Sequence, residues 1–237
     1  NGVATRVTPD AGESLLYTLR ARCGLTSLKD GCHPQGQCGA CVAVVNGHAR
    51  VTCTLPTDHA DGAEVLTLDG LDEDARDRLV RAFTCAGAGQ CGYCLPGIAL
   101  HAHAFTAHHP EPTREEIVKA LDLHLCRCGG YGRIVEAVSL LARARRGEAL
   151  PPEASGGGGV GDSPARRDLV AMVLGARPFV GDLVRPGMLH GALVLSPHAR
   201  AKVLAIDTTR ARAVPGVVAV ATAADIPGAR WCGLLLD

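Results

Sequence analysis

Cysteines are the residues of this chain best suited to chemistry, and eight of the eleven fall into two groups of four. The first tetrad is Cys32, Cys38, Cys41 and Cys53, and the second tetrad is Cys91, Cys94, Cys126 and Cys128. Proteins use four thiolates to hold a 2Fe-2S cluster or a structural zinc ion. The spacing therefore predicts two metal centres, with Cys23, Cys85 and Cys232 outside them.

Three cysteines of the first tetrad lie within ten residues of one another, and Cys53 follows on a predicted neighbouring strand. Glycines in this loop let backbone N–H groups approach the sulfur atoms and donate hydrogen bonds to them. The gap between Cys32 and Cys38 holds five residues, one more than in the C-x4-C-x2-C spacing of plant-type ferredoxins. We expect the longer loop to bulge outward around Pro34 and Gly36 and keep Cys32 in place.

The second tetrad has a different arrangement, in which the ligands lie at helix ends. Cys91 and Cys94 precede one predicted helix, and Cys126 and Cys128 lie between two others. Free N–H groups at helix N-termini stabilise negative charge, which favours thiolates there. Spacing alone leaves structural zinc as an alternative for either tetrad, and disulfides as a weaker one because a C-x-C bridge is strained.

The elements around the first tetrad predict a small mixed α+β domain over residues 1–70. Leucines at helical spacing indicate a helix over residues 14–23, ended by Gly24. Strands at residues 42–45 and 49–53 flank Asn46-Gly47, a dipeptide typical of a tight type I′ hairpin. Another short strand is predicted between residues 64 and 68.

The remaining chain divides into helices, a linker and the start of a further domain. Residues 71–146 have the apolar periodicity of four helices, including a capping box at Thr113 and Glu116. Residues 147–164 are rich in proline and glycine and predict a flexible linker. From residue 165 to 237, apolar runs alternate with a short helix, which predicts a truncated mixed α/β domain.

Composition excludes several classes of protein. Lys plus Arg and Asp plus Glu both number 24, so no basic surface is available for nucleic acid. No apolar run reaches the roughly 20 residues that a membrane-spanning helix needs. We expect a cytoplasmic protein, with export left open because the chain does not begin with methionine.

The motifs together resemble the iron-sulfur module of molybdenum hydroxylases, the family of xanthine dehydrogenase and aldehyde oxidoreductase. The resemblance rests on residues 31–53, 90–94 and 126–131, and residues 186–191 and 196–199 resemble the same family's molybdenum subunit. It implies an overall α+β chain with a ferredoxin-like β-grasp domain, a four-helix 2Fe-2S domain and the start of an α/β hammerhead domain.

The resemblance also implies a function and partners. Two 2Fe-2S clusters would pass electrons from a molybdopterin centre, bound mainly by residues outside this chain, during oxidation of an aldehyde or an N-heterocycle such as xanthine. Gln90 and Cys128 are expected near the pterin, and no catalytic residue is expected in the chain. A flavin subunit or ferredoxin-like acceptor and a homodimer are the implied partners. The alternatives are a free-standing 2Fe-2S carrier and a zinc-stabilised interaction domain.

Overall fold

The computed structural model describes residues 1–152, 159–162 and 164–228. The chain packs as two units, Asn1–Arg185 and Pro186–Asp237. The first unit combines a small sheet with a bundle of helices, which confirms the α+β class. Within the described residues, no helix has both the length and the apolar character needed to cross a membrane.

A three-stranded antiparallel sheet lies next to the cysteines of the first tetrad. Its strands are β1 (Val42–Val45), β2 (His48–Val51) and β3 (Val65–Leu66), in the order β2-β1-β3. The predicted hairpin is confirmed, because Asn46 and Gly47 have φ values of 49° and 80° and Val45 pairs with His48. Two consecutive positive φ angles define a type I′ turn, whose twist matches that of the strands. The hairpin places Cys53 two residues after the end of β2.

The helix predicted over residues 14–23 forms beside this sheet. It begins as α1 (Leu15–Tyr17), where the Ser14 hydroxyl accepts from the Tyr17 N–H, and continues as a π-helical turn over Thr18–Arg22. Its buried leucines pack against Cys41, Ala43 and Cys53. Two ligand candidates of the first tetrad therefore belong to the hydrophobic core of this part.

Four helices follow, as predicted from the apolar periodicity. They are α2 (Glu73–Cys85), α3 (Leu95–His108), α4 (Arg114–Leu121) and α5 (Tyr131–Arg145). The Asp72 carboxylate caps α2 by accepting from the Ala75 N–H, and the capping box of Thr113 and Glu116 is present at α4. Their shared core contains Leu79, Phe83 and other residues that are completely buried. The bundle holds the loops that carry the second tetrad.

A contact in the bundle predicts a pH dependence of stability. The Arg145 guanidinium donates to Nδ1 of His103 at 2.9 Å, and burial together with this cation lowers the pKa of His103 from 6.5 to about 4. Between pH 6.5 and 4 the unfolded state binds more protons, so stability falls as the pH falls. We expect His103→Gln, whose amide oxygen can still accept from Arg145, to reduce this slope by less than about 1.4 kcal/mol per pH unit, since His103 is partly exposed. Urea unfolding of both proteins at pH 7, 6 and 5 measures it, and parallel slopes would contradict the assignment.

The first residues after the linker pack on the helical bundle. Helix α6 (Leu169–Val173) buries Leu169, Met172 and Val173 in the core that α2 and α3 share. The first unit therefore extends to Arg185, beyond residue 165, where the sequence predicts the last domain to begin. The reason is the apolar face of α6, which the helical part covers. Of the predicted linker, residues 153–158 and 163 lie outside the described residues.

The second unit has less regular structure than the apolar runs predicted. Between residues 186 and 228, all of which are described, the regular elements are α7 (Thr209–Arg212) and a 3₁₀ turn at Ala223–Asp225. The runs at residues 188–195 and 203–206 form no strand there, and Leu193, Val194 and Leu204 are exposed. A strand exists only through hydrogen bonds to a neighbouring strand, and among the described residues none pairs with these runs. The end of the predicted domain, residues 229–237, lies outside the described residues.

Candidate metal centres

The first tetrad meets as two pairs of thiols. Cys38 lies close enough to Cys32 to lower its pKa, and Cys41 lies close enough to Cys53 to raise its pKa. Three of the four side chains are buried, and only Cys32 is partly exposed. The structure thus brings together the residues of each pair although Cys53 arrives from a different element.

Hydrogen bonds from backbone N–H groups lower the pKa of these thiols, whereas burial raises it. Burial raises the pKa of Cys32, but hydrogen bonds from the N–H groups of Gln37 and Gln35 outweigh it and lower the pKa to about 6. At Cys53, burial raises the pKa to about 12. A thiol buried in this way ionises when a cation binds it, because the metal charge offsets the cost of desolvation. The set therefore suits a metal better than it suits four free thiols.

The longer loop of the first tetrad is accommodated by left-handed backbone. His33, in the five-residue gap, has φ 43° and lies outward, with its ring 2.5 Å from the Asp30 carboxylate. Gly36 and Gly39 also have positive φ angles, and a side chain at Gly31 would meet the Cys38 sulfur at 2.8 Å. The bulge expected around Pro34 therefore includes His33 and keeps Cys32 beside Cys38.

The second tetrad also meets in pairs. Cys94 lies beside Cys126, and Cys91 beside Cys128, the first pair being buried and the second exposed. The Gly130 N–H donates to the Cys126 sulfur at 3.4 Å, and burial raises the pKa of Cys94. A small open pocket lies over these cysteines. Its lining includes Gln90, Cys91, Cys94, Cys126, Cys128 and Arg133.

The pairing of the thiols bears on the choice between the two metals that the spacing left open. Among the residues that the structure describes, no three His, Cys, Asp or Glu side chains converge as ligands of a single ion. Zinc needs four ligands around one point, whereas four thiolates of a 2Fe-2S cluster are divided between two irons. Two pairs of thiols in each tetrad fit the binuclear cluster, and none of the eight tetrad cysteines forms a disulfide.

A backbone hydrogen bond joins the two tetrads. The Leu125 N–H donates to the Cys38 carbonyl at 3.1 Å, and Leu125 directly precedes Cys126. The contact is close on both sides, because a side chain at Gly39 would meet Nδ1 of His124 at 2.4 Å and one at Gly97 would meet the Gly39 carbonyl at 2.3 Å. Two tetrads far apart in sequence are thereby connected by covalent bonds and one hydrogen bond.

Two side chains around the site were not anticipated from the sequence. The Tyr93 hydroxyl, between Cys91 and Cys94, donates to the Asp30 carbonyl at 2.7 Å and so ties the second tetrad to the loop of the first. His124 is buried beside Gly39, and its Nε2 lies 2.8 Å from Nδ1 of His101. For Tyr93, its position inside a C-x2-C motif was a signal in the sequence that could have indicated a role. The contact between His101 and His124, which are distant in sequence, leaves no such signal.

Comparisons with known proteins agree with this geometry. A family model described as a [2Fe-2S] binding domain matches residues 67–139, and the a/b hammerhead domain of aldehyde oxidase and xanthine dehydrogenase matches residues 174–233. The nicotinate dehydrogenase small FeS subunit of Eubacterium barkeri is 44% identical over 139 residues, which cover 58% of this chain and 88% of that protein.

Aldehyde oxidoreductases match nearly the whole chain. That of Megalodesulfovibrio gigas is 33% identical over 96% of this chain. The crystal structure of the enzyme from Desulfovibrio desulfuricans superimposes with a TM-score of 0.83 at 34% identity, again over 96% of this chain. The chain spans 26% of the length of each of these two enzymes.

Fold, paired thiols and matched domains together define an iron-sulfur protein of the electron-transferring class. The chain belongs to the molybdenum hydroxylase family, of which it forms the iron-sulfur portion followed by residues that match the family's hammerhead domain. The resemblance read from the cysteine motifs is confirmed. Its cofactors are 2Fe-2S clusters, and its role is electron transfer within an oxidoreductase.

Proposed function

We propose that each tetrad holds one 2Fe-2S cluster, with two thiolates on each iron. The support is the pairing of the thiols: Cys32 with Cys38, Cys41 with Cys53, Cys91 with Cys128, and Cys94 with Cys126. A bound 2Fe-2S cluster accepts and releases one electron at a time, at a potential tuned by hydrogen bonds to its sulfurs and by solvent exposure. The N–H groups of Gln35 and Gly130 would supply such hydrogen bonds.

The chain's own atoms provide a route between the two tetrads. Cys126 is bonded to Leu125, whose N–H donates a hydrogen bond of 3.1 Å to the Cys38 carbonyl. Electrons could pass between the tetrads along these bonds. The second tetrad is the one that faces an open pocket, with Cys91 and Cys128 exposed there. We therefore place the second tetrad at the entry of electrons and the first tetrad toward their exit.

The pocket over the second tetrad is the proposed contact surface for the molybdopterin. Gln90 and Cys128 line it, and Arg133 adds a cation suited to an anionic group. This keeps both residues in the role that the family resemblance implied. The molybdenum-binding portion is then the proposed partner on this side, and the Eubacterium barkeri relative is itself a separate small FeS subunit.

Substrate and acceptor classes follow from the relatives. Those named here are a nicotinate dehydrogenase and aldehyde oxidoreductases, so an aldehyde or an N-heterocycle is the proposed substrate class of the whole enzyme. The match to the M. gigas enzyme runs through 96% of the chain, so no flavin domain is proposed between the iron-sulfur and hammerhead parts. A separate flavin subunit or a ferredoxin-like acceptor would take the electrons in the cytoplasm.

The finer domain assignment rests on the same observations. The sheet of residues 42–66 with the helix that begins at Leu15 supports a ferredoxin-like β-grasp domain over residues 1–70. Helices α2 to α5 support a four-helix 2Fe-2S domain over residues 71–146, and the family match at residues 174–233 supports a hammerhead domain.

Metal content of the whole chain tests the proposal. We expect about four irons and about four sulfides per chain, and two distinct EPR signals after reduction with dithionite. Air-free purification and reconstitution with iron and sulfide, with zinc measured in parallel, provide the data. A chain with zinc and no iron would be an interaction domain instead, and one EPR signal with about two irons would remove one tetrad from the proposal.

A further inference from the structure

A segment after the linker packs against the base of the first cysteine loop. We call residues 177–182 the clamp segment, and residues 28–30, which lead into Cys32, the loop stem. The Phe179 ring packs edge-on against Tyr93 at 4.9 Å between centroids and lies 5.5 Å from the Lys29 ammonium. The chain after the linker thus reaches the first tetrad as well as the helical part.

The main contact is a buried group of three charges. The Lys29 ammonium and the Arg20 guanidinium each lie 2.7 Å from a different oxygen of Asp182. Only 2% of the Lys29 side chain and 5% of the Asp182 side chain are exposed. The Phe179 N–H also donates to Asp182 at 2.9 Å, and the hydrogen bonds outweigh burial in keeping the pKa of Asp182 below its usual value. Removal of the carboxylate would leave a buried, incompletely paired ammonium, which is strongly destabilising.

The partners of Asp182 hold the loop stem. The Lys29 N–H donates to the Ala40 carbonyl at 3.1 Å and so closes the base of the loop that contains Cys32 and Cys38. The Arg20 guanidinium also donates to the Leu28 carbonyl. Tyr93, against which Phe179 packs, donates to the Asp30 carbonyl. Leu28 and Asp30 are therefore held by groups that contact the clamp segment, and Lys29 contacts it directly through Asp182.

We propose that Asp182 is a positioning residue for the first cluster, acting through Lys29 and Arg20 on the loop stem. The inference rests on the proposed function, since it takes the first tetrad to hold a 2Fe-2S cluster. Its consequence is that the chain beyond the linker influences both the retention and the potential of the cluster on the electron-exit side.

Single and paired substitutions in the full chain test this role. Asp182→Asn removes one negative charge and should move the midpoint potential of the first cluster upward, because reduction adds negative charge. Lys29→Met should move it downward. In the presence of a chelator, the EPR signal of the cluster on the first tetrad should disappear at least about tenfold faster in both variants than in the original chain. The reason is that each substitution breaks a buried ion pair. Lys29→Met with Asp182→Leu removes both charges, so the potential and the retention should return toward the original values.

A matched control is Glu148→Gln, which removes a carboxylate shared by Arg143 and Arg146 at the end of α5. We expect both clusters to be unchanged in it. The inference is overturned if Asp182→Asn leaves the first signal unaltered, if both clusters change equally, or if the two single variants shift the potential in the same direction. Absence of the first signal from the unsubstituted chain would instead refute the proposed function itself.

Discussion

Cys94→Ser is expected to retain about two irons per chain, because each 2Fe-2S cluster holds two irons. It should lose the EPR signal of the second tetrad's cluster and keep that of the first tetrad's cluster. Cys94 is 8% exposed and lies beside Cys126 in the buried pair of the second tetrad. A serine hydroxyl stays protonated near neutral pH and is a poor substitute for a thiolate ligand. Iron and sulfide analysis combined with EPR at two temperatures measures the effect.

Cys85→Ser provides the matched control for this result. Cys85 is a partly exposed thiol in the same helical part, and its sulfur lies 3.2 Å from the Pro151 carbonyl. We expect Cys85→Ser to retain about four irons and both signals. If Cys94→Ser keeps all its iron, the double variant shows whether Cys85 replaces the missing ligand. Full iron content in the double variant would contradict the assignment of Cys94.

The features that could be predicted from the sequence are those set by neighbouring residues. Asn46-Gly47 adopts two positive φ angles that few other residue pairs tolerate, so the hairpin was predictable. Thr113 and Glu116 satisfy each other's backbone N–H groups within one turn, so the start of α4 was predictable as well. The same holds for the cysteines, because ligands from one loop keep a narrow spacing.

Long-range contacts could not be predicted in this way. Lys29 and Asp182 are 153 residues apart. Judged only by the residues next to it in the sequence, each would be predicted to be an ordinary surface charge. Their burial depends on the packing of residues after the linker, which belong to the first unit as far as Arg185. The runs at residues 188–195 show the converse, since an apolar pattern indicates a strand only where a partner strand is available.

Gly39→Ala should be the most damaging glycine substitution at the junction of the two tetrads. Gly39 has φ 66°, and an added Cβ would lie 2.4 Å from Nδ1 of His124 and 2.7 Å from the Leu123 carbonyl. Backbone strain of about 1–2 kcal/mol and overpacking of about 1–3 kcal/mol predict a loss of about 2–5 kcal/mol in the free energy of unfolding. Relief of the clash would move Leu125 away from the Cys38 carbonyl and break the hydrogen bond that connects the two tetrads.

Gly24→Ala separates the clash from the backbone strain. Gly24 has φ 71°, nearly the same conformation, but no atom lies within 4 Å of the Cβ that would be added there. We therefore expect this variant to lose only about 1–2 kcal/mol in urea unfolding. In the fully reduced protein, Gly39→Ala should also weaken the magnetic interaction between the two clusters seen by EPR, whereas Gly24→Ala should leave it unchanged. Equal losses of stability and unchanged spectra in both variants would mean that the contact of Gly39 with His124 does not hold the tetrads together.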